Sequence, residues 1–188
     1  MSALARDQLA RNPKMALVVR IFEINETIKK MPRNKSDLRK LFSKGMAVEF
    51  HARYNGNAHA IPHLNQWLNK QESKHQLAID SFLKFSKRSW EPQFVSLNSI
   101  PFHDENFPFS LRDNTVLRWE MCRQNYTFAL VNDLFMAHRK IKTALDIPRA
   151  KKQQRRSLEQ FNFAMKLFQH RMDQFYPETK KICPKFGA

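Results

Sequence analysis

Three histidines are the first residues whose type and spacing suggest chemistry. His59 and His63 stand at i, i+4, the spacing at which one helix face offers two imidazoles to a metal ion, and His51 lies upstream. Pro62 falls between the pair and no HExxH pattern surrounds it, so a metal site is not expected. His103-Asp104-Glu105 sets an imidazole beside two carboxylates, the groups general acid–base transfer uses. The run sits between Pro101 and Pro108 and reads better as a polar turn. Cys122 and Cys183 form no CxxC pair; both read as isolated apolar thiols of a reducing compartment. With three glycines in the chain, no GxxxxGK[ST], GxGxxG or GxSxG occurs. The sequence therefore predicts no catalytic residue, no metal and no cofactor, and a chain that is not an enzyme.

Charge points elsewhere. The 188 residues carry 33 Lys+Arg against 17 Asp+Glu, a formal net charge of +16. A field of that sign attracts polyanions. Two windows hold most of the excess. Residues 29–44 include Arg33, Lys35, Arg39 and Lys40 with Asp37 as the one acid. Residues 139–156 include Lys140, Arg149, Lys151, Lys152, Arg155 and Arg156 with Asp146 as the one acid. Both straddle expected helix connections, where long side chains and helix N-terminal N–H groups reach phosphates together. Trp67 and Trp119 fall on apolar helical stripes and read as core. Trp90, beside Arg88 and before Pro92, is kept as a surface contact able to stack on a base.

The elements that would carry these groups read as mainly helical, because 42% hydrophobic content with so few glycines disfavours an all-β chain. Residues 1–14 are expected to form a flexible arm ending at Asn12-Pro13, and residues 15–176 a single domain. Spacings of three and four predict a helix over Met15–Met31, although ALVVRIF also suits a strand. Further helices are expected from Ser36, over about Ile61–Lys87, and from Asn114 to about Leu145. The last runs through Leu158, Phe161, Met165, Phe168, Met172 and Phe175, whose 3-4-3-4-3 seam asks for a partner helix. A short β segment is expected at about 93–112, in the runs Phe94–Ile100 and Phe107–Leu111, and a loose tail over 177–188. The N-terminal MSALARDQLARNPK has no apolar core of a signal peptide, and Met15–Val19 is too short to span a bilayer. A cytoplasmic protein that does not bind membranes is the expectation.

From Val48 onward the layout resembles a known family. VEFHARYNGNAHAIPHLNQWL precedes the proline-punctuated PFHDENFPFSLRDN; then come LRWEMCRQNYTFALVNDLFMAHR, a basic turn and a final helix. This order is similar to the AcaB-like transcriptional regulators of conjugative plasmids and integrative conjugative elements. The resemblance implies a ribbon-helix-helix-like dimeric core, in which strands of two protomers pair and enter the major groove of DNA. The ribbon would be Phe107–Arg112, with Ser110 and Arg112 on one face for base readout; Phe94–Ile100 is the competing strand.

The function expected from the sequence is thus a DNA-binding transcriptional regulator, acting as a homodimer on double-stranded DNA and encoded on a mobile element. The alternative is an accessory nucleic-acid-binding protein of a DNA-transfer or other nucleoprotein complex, with RNA as a second possible partner.

Overall fold

The computed structural model describes residues 2–73, 77–109, 111–143 and 157–187. A mixed five-stranded sheet lies at its centre, ordered β2-β1-β5-β3, with β4 also paired to β1. The central strand β1, Met15–Ile24, is buried at nearly every position. A strand covered on both faces reads as a continuous apolar run with no alternation, so its spacing also satisfies a helical template. The β-branched and aromatic content of MALVVRIFEI settles it as a strand. It runs parallel to β5, Thr127–Arg139, from Met15↔Thr127 to Ile24↔Arg139, with a bulge after Val18. β3, Ile79–Leu83, pairs antiparallel with the far edge of β5.

The other edge of β1 is shared. β4, Gln93–Val95, covers Leu17–Val19, and β2, Ala47–Glu49, covers Phe22–Ile24. Arg20 and Ile21 fall at the handover between them. Two short strands meeting against one long strand leave a notch there, and the chain leaving β2 and the chain entering β4 line it.

Six helices frame the sheet among the described residues: α1 Ser2–Arg11, α2 Lys35–Ser43, α3 Ala52–His59, α4 Leu64–Asn69, α5 Asp113–Arg123 and α6 Leu158–Phe175. Asn34 caps α2, its Oδ1 accepting from Asp37 N at 2.8 Å. α6 buries Phe161, Ala164, Met165, Phe168 and Met172. The partner its seam asks for lies within the chain: Phe107 meets Phe161 and Phe168 edge-on at 5.6 and 5.9 Å, and Trp119 meets Phe168 at 6.2 Å. Leu158 and Phe175, at the two ends of the expected seam, are exposed.

The mainly helical fold with a ribbon-helix-helix-like core is therefore corrected to a mixed α/β architecture. Of the helix expected over Ile61–Lys87, the described residues form only the short α4 before β3. The helix expected from Asn114 to Leu145 ends at Arg123; Asn125 turns left-handed (φ 61°) and β5 begins at Thr127. Phe128–Val131 are all buried, so again an apolar run without alternation imitated a helical stripe. The described residues of 107–112 form no strand: Phe107 packs in the core and Arg112 (φ 62°) opens α5, while Ser110 lies outside the described residues. Within 94–100 the strand is confined to Gln93–Val95 at its start.

Residues 2–11, expected within an arm, form α1, whose Ala5 and Leu9 pack on Leu17 and Val19. Beyond Pro177, Cys183 and Phe186 are buried, and Phe186 stacks on Trp119 at 5.0 Å. The two cysteines read as isolated thiols are joined as the Cys122–Cys183 disulfide. Trp90, kept as a surface contact, is buried between Phe85 and Phe128, each 5.6 Å away.

Candidate active site

The notch on the β1 edge is a hollow of about 340 Å³ lined by Phe50, His51, His59, Glu91, Arg118 and their neighbours. Each wall follows from the fold. Phe50 leaves β2 with its N–H donating to Ile21 O at 3.0 Å, which fixes it at the handover. His51 takes a left-handed conformation (φ 60°) and starts α3; His59 ends that helix. Glu91 precedes β4, and its N–H donates to Ala58 O at 2.7 Å, tying the two walls together. Asn114 and Arg118, one turn apart on α5, close the hollow.

Arg20 holds the chain beyond α3. Its buried guanidinium donates to Ile61 O at 2.8 Å, to Pro62 O, and to Glu49 Oε1 at 3.0 Å. It also lies 5.4 Å from the Trp67 ring centroid. The His59–His63 stretch is thus bolted to the sheet rather than carried on a free loop.

Aromatic rings gather around Phe50. His51 stacks on it at 3.7 Å, and His59 and His138 meet it edge-on at 4.9 and 5.9 Å. His51 and His59 lie 4.9 Å apart, and Lys142 Nζ sits 5.4 Å from the Phe50 ring. Burial first, then the charges of His59, Lys142 and His138, pushes His51 down to about 4. His59 is also lowered, by burial above all, against the raising influence of the Glu91 carbonyl and carboxylate. Both imidazoles are therefore neutral at neutral pH.

A neutral His59 has a defined tautomer. Nδ1 lies 2.9 Å from Glu91 O, a carbonyl that only accepts, so Nδ1 carries the proton. Nε2 then bears the lone pair, 3.9 Å from Glu91 Oε2. Thr115 Oγ1 donates to Glu91 Oε1 at 2.6 Å and orients that carboxylate. Arg118 donates to Pro92 O and Asn114 O and keeps further N–H donors for a ligand. Burial lowers its pKa and Glu91 opposes the change. A base with a free lone pair, a carboxylate and a guanidinium thus face one cavity. Among the described residues, no three His, Cys, Asp or Glu converge as a metal site.

Among the described residues, none of those singled out for nucleic acid lines this hollow. Arg33, Arg39 and Lys40 are exposed on α2 or just before it, and Arg39 donates to Asn69 Oδ1. Lys35 is buried, its Nζ donating to Asn132 Oδ1 at 2.8 Å and lying 4.4 Å from the Trp67 ring centroid. Arg112 starts α5 and Lys140 follows β5, away from α2 in the chain. Ser110, Arg149, Lys151, Lys152, Arg155 and Arg156 lie outside the described residues. His103-Asp104-Glu105 is the polar turn expected: Asp104 accepts from Asn106 N and from Arg171. Sequence reasoning weighed His59 and His63, with His51 nearby, as a metal pair and set all three aside. Phe50, Glu91 and Arg118 went unnoticed, because their convergence depends on the β1 edge being shared. Among the described residues no helix is long and apolar enough to cross a membrane.

The sequence model of the family described as "Glycosyl-transferase for dystroglycan" matches residues 1–177. The beta-1,4-glucuronyltransferase 1 of Mus musculus is 25% identical over 169 residues, 89% of this chain and 39% of the relative. The proteins of the same name from Danio rerio and Homo sapiens are 24% and 25% identical, over 89% of this chain and 38% and 39% of theirs. The chain spans about two fifths of the length of the curated relatives it matches. These matches overturn the resemblance to AcaB-like regulators, the DNA-binding function and the expectation of a non-enzyme. The expected double-stranded DNA partner is overturned with them. Part of the misleading charge is structural: Arg20, Lys35, Arg118 and Arg123 are buried, so formal net charge overstated the field a polyanion would meet.

Proposed function

This chain belongs to the family of glycosyl-transferases for dystroglycan, and from that premise we propose that the His59–Glu91–Arg118 hollow is where a sugar is transferred. The reaction is transfer of a glycosyl group, glucuronyl by analogy with the relatives' name, from an activated donor to a hydroxyl of an acceptor glycan. The bond between the sugar's anomeric carbon and the leaving group breaks as the acceptor oxygen bonds that carbon. The hydroxyl proton goes to His59 Nε2, and the electron pair leaves with the departing group. Glu91 stabilises the imidazolium that forms, much as a carboxylate steadies a catalytic histidine elsewhere. Arg118 faces the negative charge of a uronate or of the leaving group.

The observation that carries this reading is the tautomer of His59: the Glu91 carbonyl holds its Nδ1 proton at 2.9 Å, while burial keeps the ring neutral. A base in that state abstracts a hydroxyl proton at neutral pH. The Cys122–Cys183 disulfide supports an oxidising compartment as the place where the chain works.

Saturation-transfer NMR with glucuronic acid tests the binding half. The expected result is transfer to the sugar in the wild type and its loss in Arg118→Met, with the fold intact by circular dichroism. Equal transfer in both proteins refutes the placement.

A further inference from the structure

Beside the proposed transfer site lies a second hollow, of about 360 Å³. One partition separates the two. His59 and Glu91 face the first hollow, while their chain neighbours Ala60 and Trp90 line the second. The Glu91 N–H bond to Ala58 O stitches that partition. Pro62 and His63 form a wall of the second hollow, held in place through the Arg20 bonds to Ile61 O and Pro62 O. Phe82, on β3, and Lys84 and Lys87, just beyond it, form the other.

The chemistry of this lining is specific. Phe82 is 65% exposed on a strand paired along one edge only, so most of its ring meets water. Trp90 forms the inner wall, packed on Phe85 and Phe128. Its Nε1–H is buried and meets no acceptor among the described residues, a polar group short of a partner. His63, Lys84 and Lys87 are exposed, and among the described residues no carboxylate lines the hollow. Aromatic faces with cations at the rim match a ligand that has apolar C–H faces and negative charge. An acidic oligosaccharide has both: each pyranose presents a C–H face and each uronate a carboxylate.

We propose that this second hollow holds the acidic glycan chain of the acceptor, as a continuation of the transfer site across the partition. This rests on the transfer reading of the first hollow. Phe82 stacks on a pyranose ring, Lys84 and Lys87 attract uronate carboxylates, and Trp90 backs the sugar bound deepest. A glycan lying across the Ala58–Glu91 bond presents its terminal hydroxyl to His59 and its preceding residues to Phe82. The hollow thereby selects acceptors that are already chains, and charged ones.

Titration calorimetry on the full chain tests it with three probes. They are glucuronic acid, a tetrasaccharide alternating glucuronic acid with N-acetylglucosamine, and a neutral tetrasaccharide of N-acetylglucosamine. The expected result is that the acidic tetrasaccharide binds at least ~10-fold tighter than either other probe. Phe82→Ala and Lys84→Glu/Lys87→Glu, all exposed positions, should remove that advantage and leave glucuronic acid binding unchanged. An acidic tetrasaccharide that binds both variants as it binds the wild type, or no tighter than glucuronic acid, overturns this proposal alone. Wild-type protein that binds none of the three probes overturns the transfer reading as well.

Discussion

Protonation of His51 should cost this fold stability, and the cost can be isolated. Its imidazole stacks on Phe50 at 3.7 Å and is pushed from 6.5 down to about 4 by burial and by His59, Lys142 and His138. A fall of that size corresponds to about 3.4 kcal/mol for a fully buried group. His51 is half-buried, and solvent screening reduces the expected contribution to ~1.5 kcal/mol. Because the folded-state value lies below the unfolded one, the contribution is complete above 6.5 and is lost as pH falls toward 4. His51→Asn removes the titration and keeps a residue that tolerates the left-handed backbone there (φ 60°). Its absolute stability at pH 7 should drop through the lost ring stack, so the quantity to compare is the change with pH. Urea unfolding at pH 7 and pH 4.5 should show the wild type losing ~1.5 kcal/mol more than the variant. Equal losses in the two proteins would refute the burial of His51 against Phe50 beside His59, His138 and Lys142.

Three further outcomes follow from named contacts. Glu91→Gln should lower glycosyl transfer about 100-fold, because the carboxylate beside His59 is gone; the melting temperature should barely move, since the Glu91 N–H bond to Ala58 remains. Cys183→Ser opens a link between residues 61 apart in sequence. Loop-closure entropy puts the loss at about 4 kcal/mol, measured by denaturant unfolding without reductant. Trp67→Phe removes the buried indole N–H bond to Val131 O at 2.9 Å and should cost about 1–3 kcal/mol by the same measurement.

Elements whose apolar residues keep a clear period were legible in the sequence. α6 follows its 3-4-3-4-3 seam, and α2 lies where an N-cap and the Leu38 stripe place it, although Asn34 rather than Ser36 is the cap. β1 was ambiguous and β5 was missed for one reason: β1 and the first half of β5 are buried without alternation, and continuous apolar runs erase the period that distinguishes strand from helix. The misreading then propagated. A long helix in place of α5 and β5 left no sheet edge, and without an edge nothing brings Glu91 to His59 or Arg118 to Phe50. Local sequence around these residues holds no shared motif, since they come from the end of β2, the end of α3, the approach to β4 and the middle of α5. The charge of +16 was legible but misassigned, because part of it serves internal bonds such as those of Arg20 and Arg123.

The central claim is that the His59–Glu91–Arg118 hollow transfers sugar, and the most direct measurement is the pH dependence of transfer from a radiolabelled glucuronyl sugar nucleotide to an acidic oligosaccharide. The protein assayed is the natural full-length one. His59 is held neutral by burial, its lowered pKa opposed by Glu91. The wild-type rate should therefore be flat around neutrality and fall on the acid side as His59 gains its proton. Glu91→Gln should move that acid limb to still lower pH, because the carboxylate that favours the imidazolium is gone. An acid limb at the same pH in both proteins, or a rate that Glu91→Gln leaves at the wild-type level, would contradict the account.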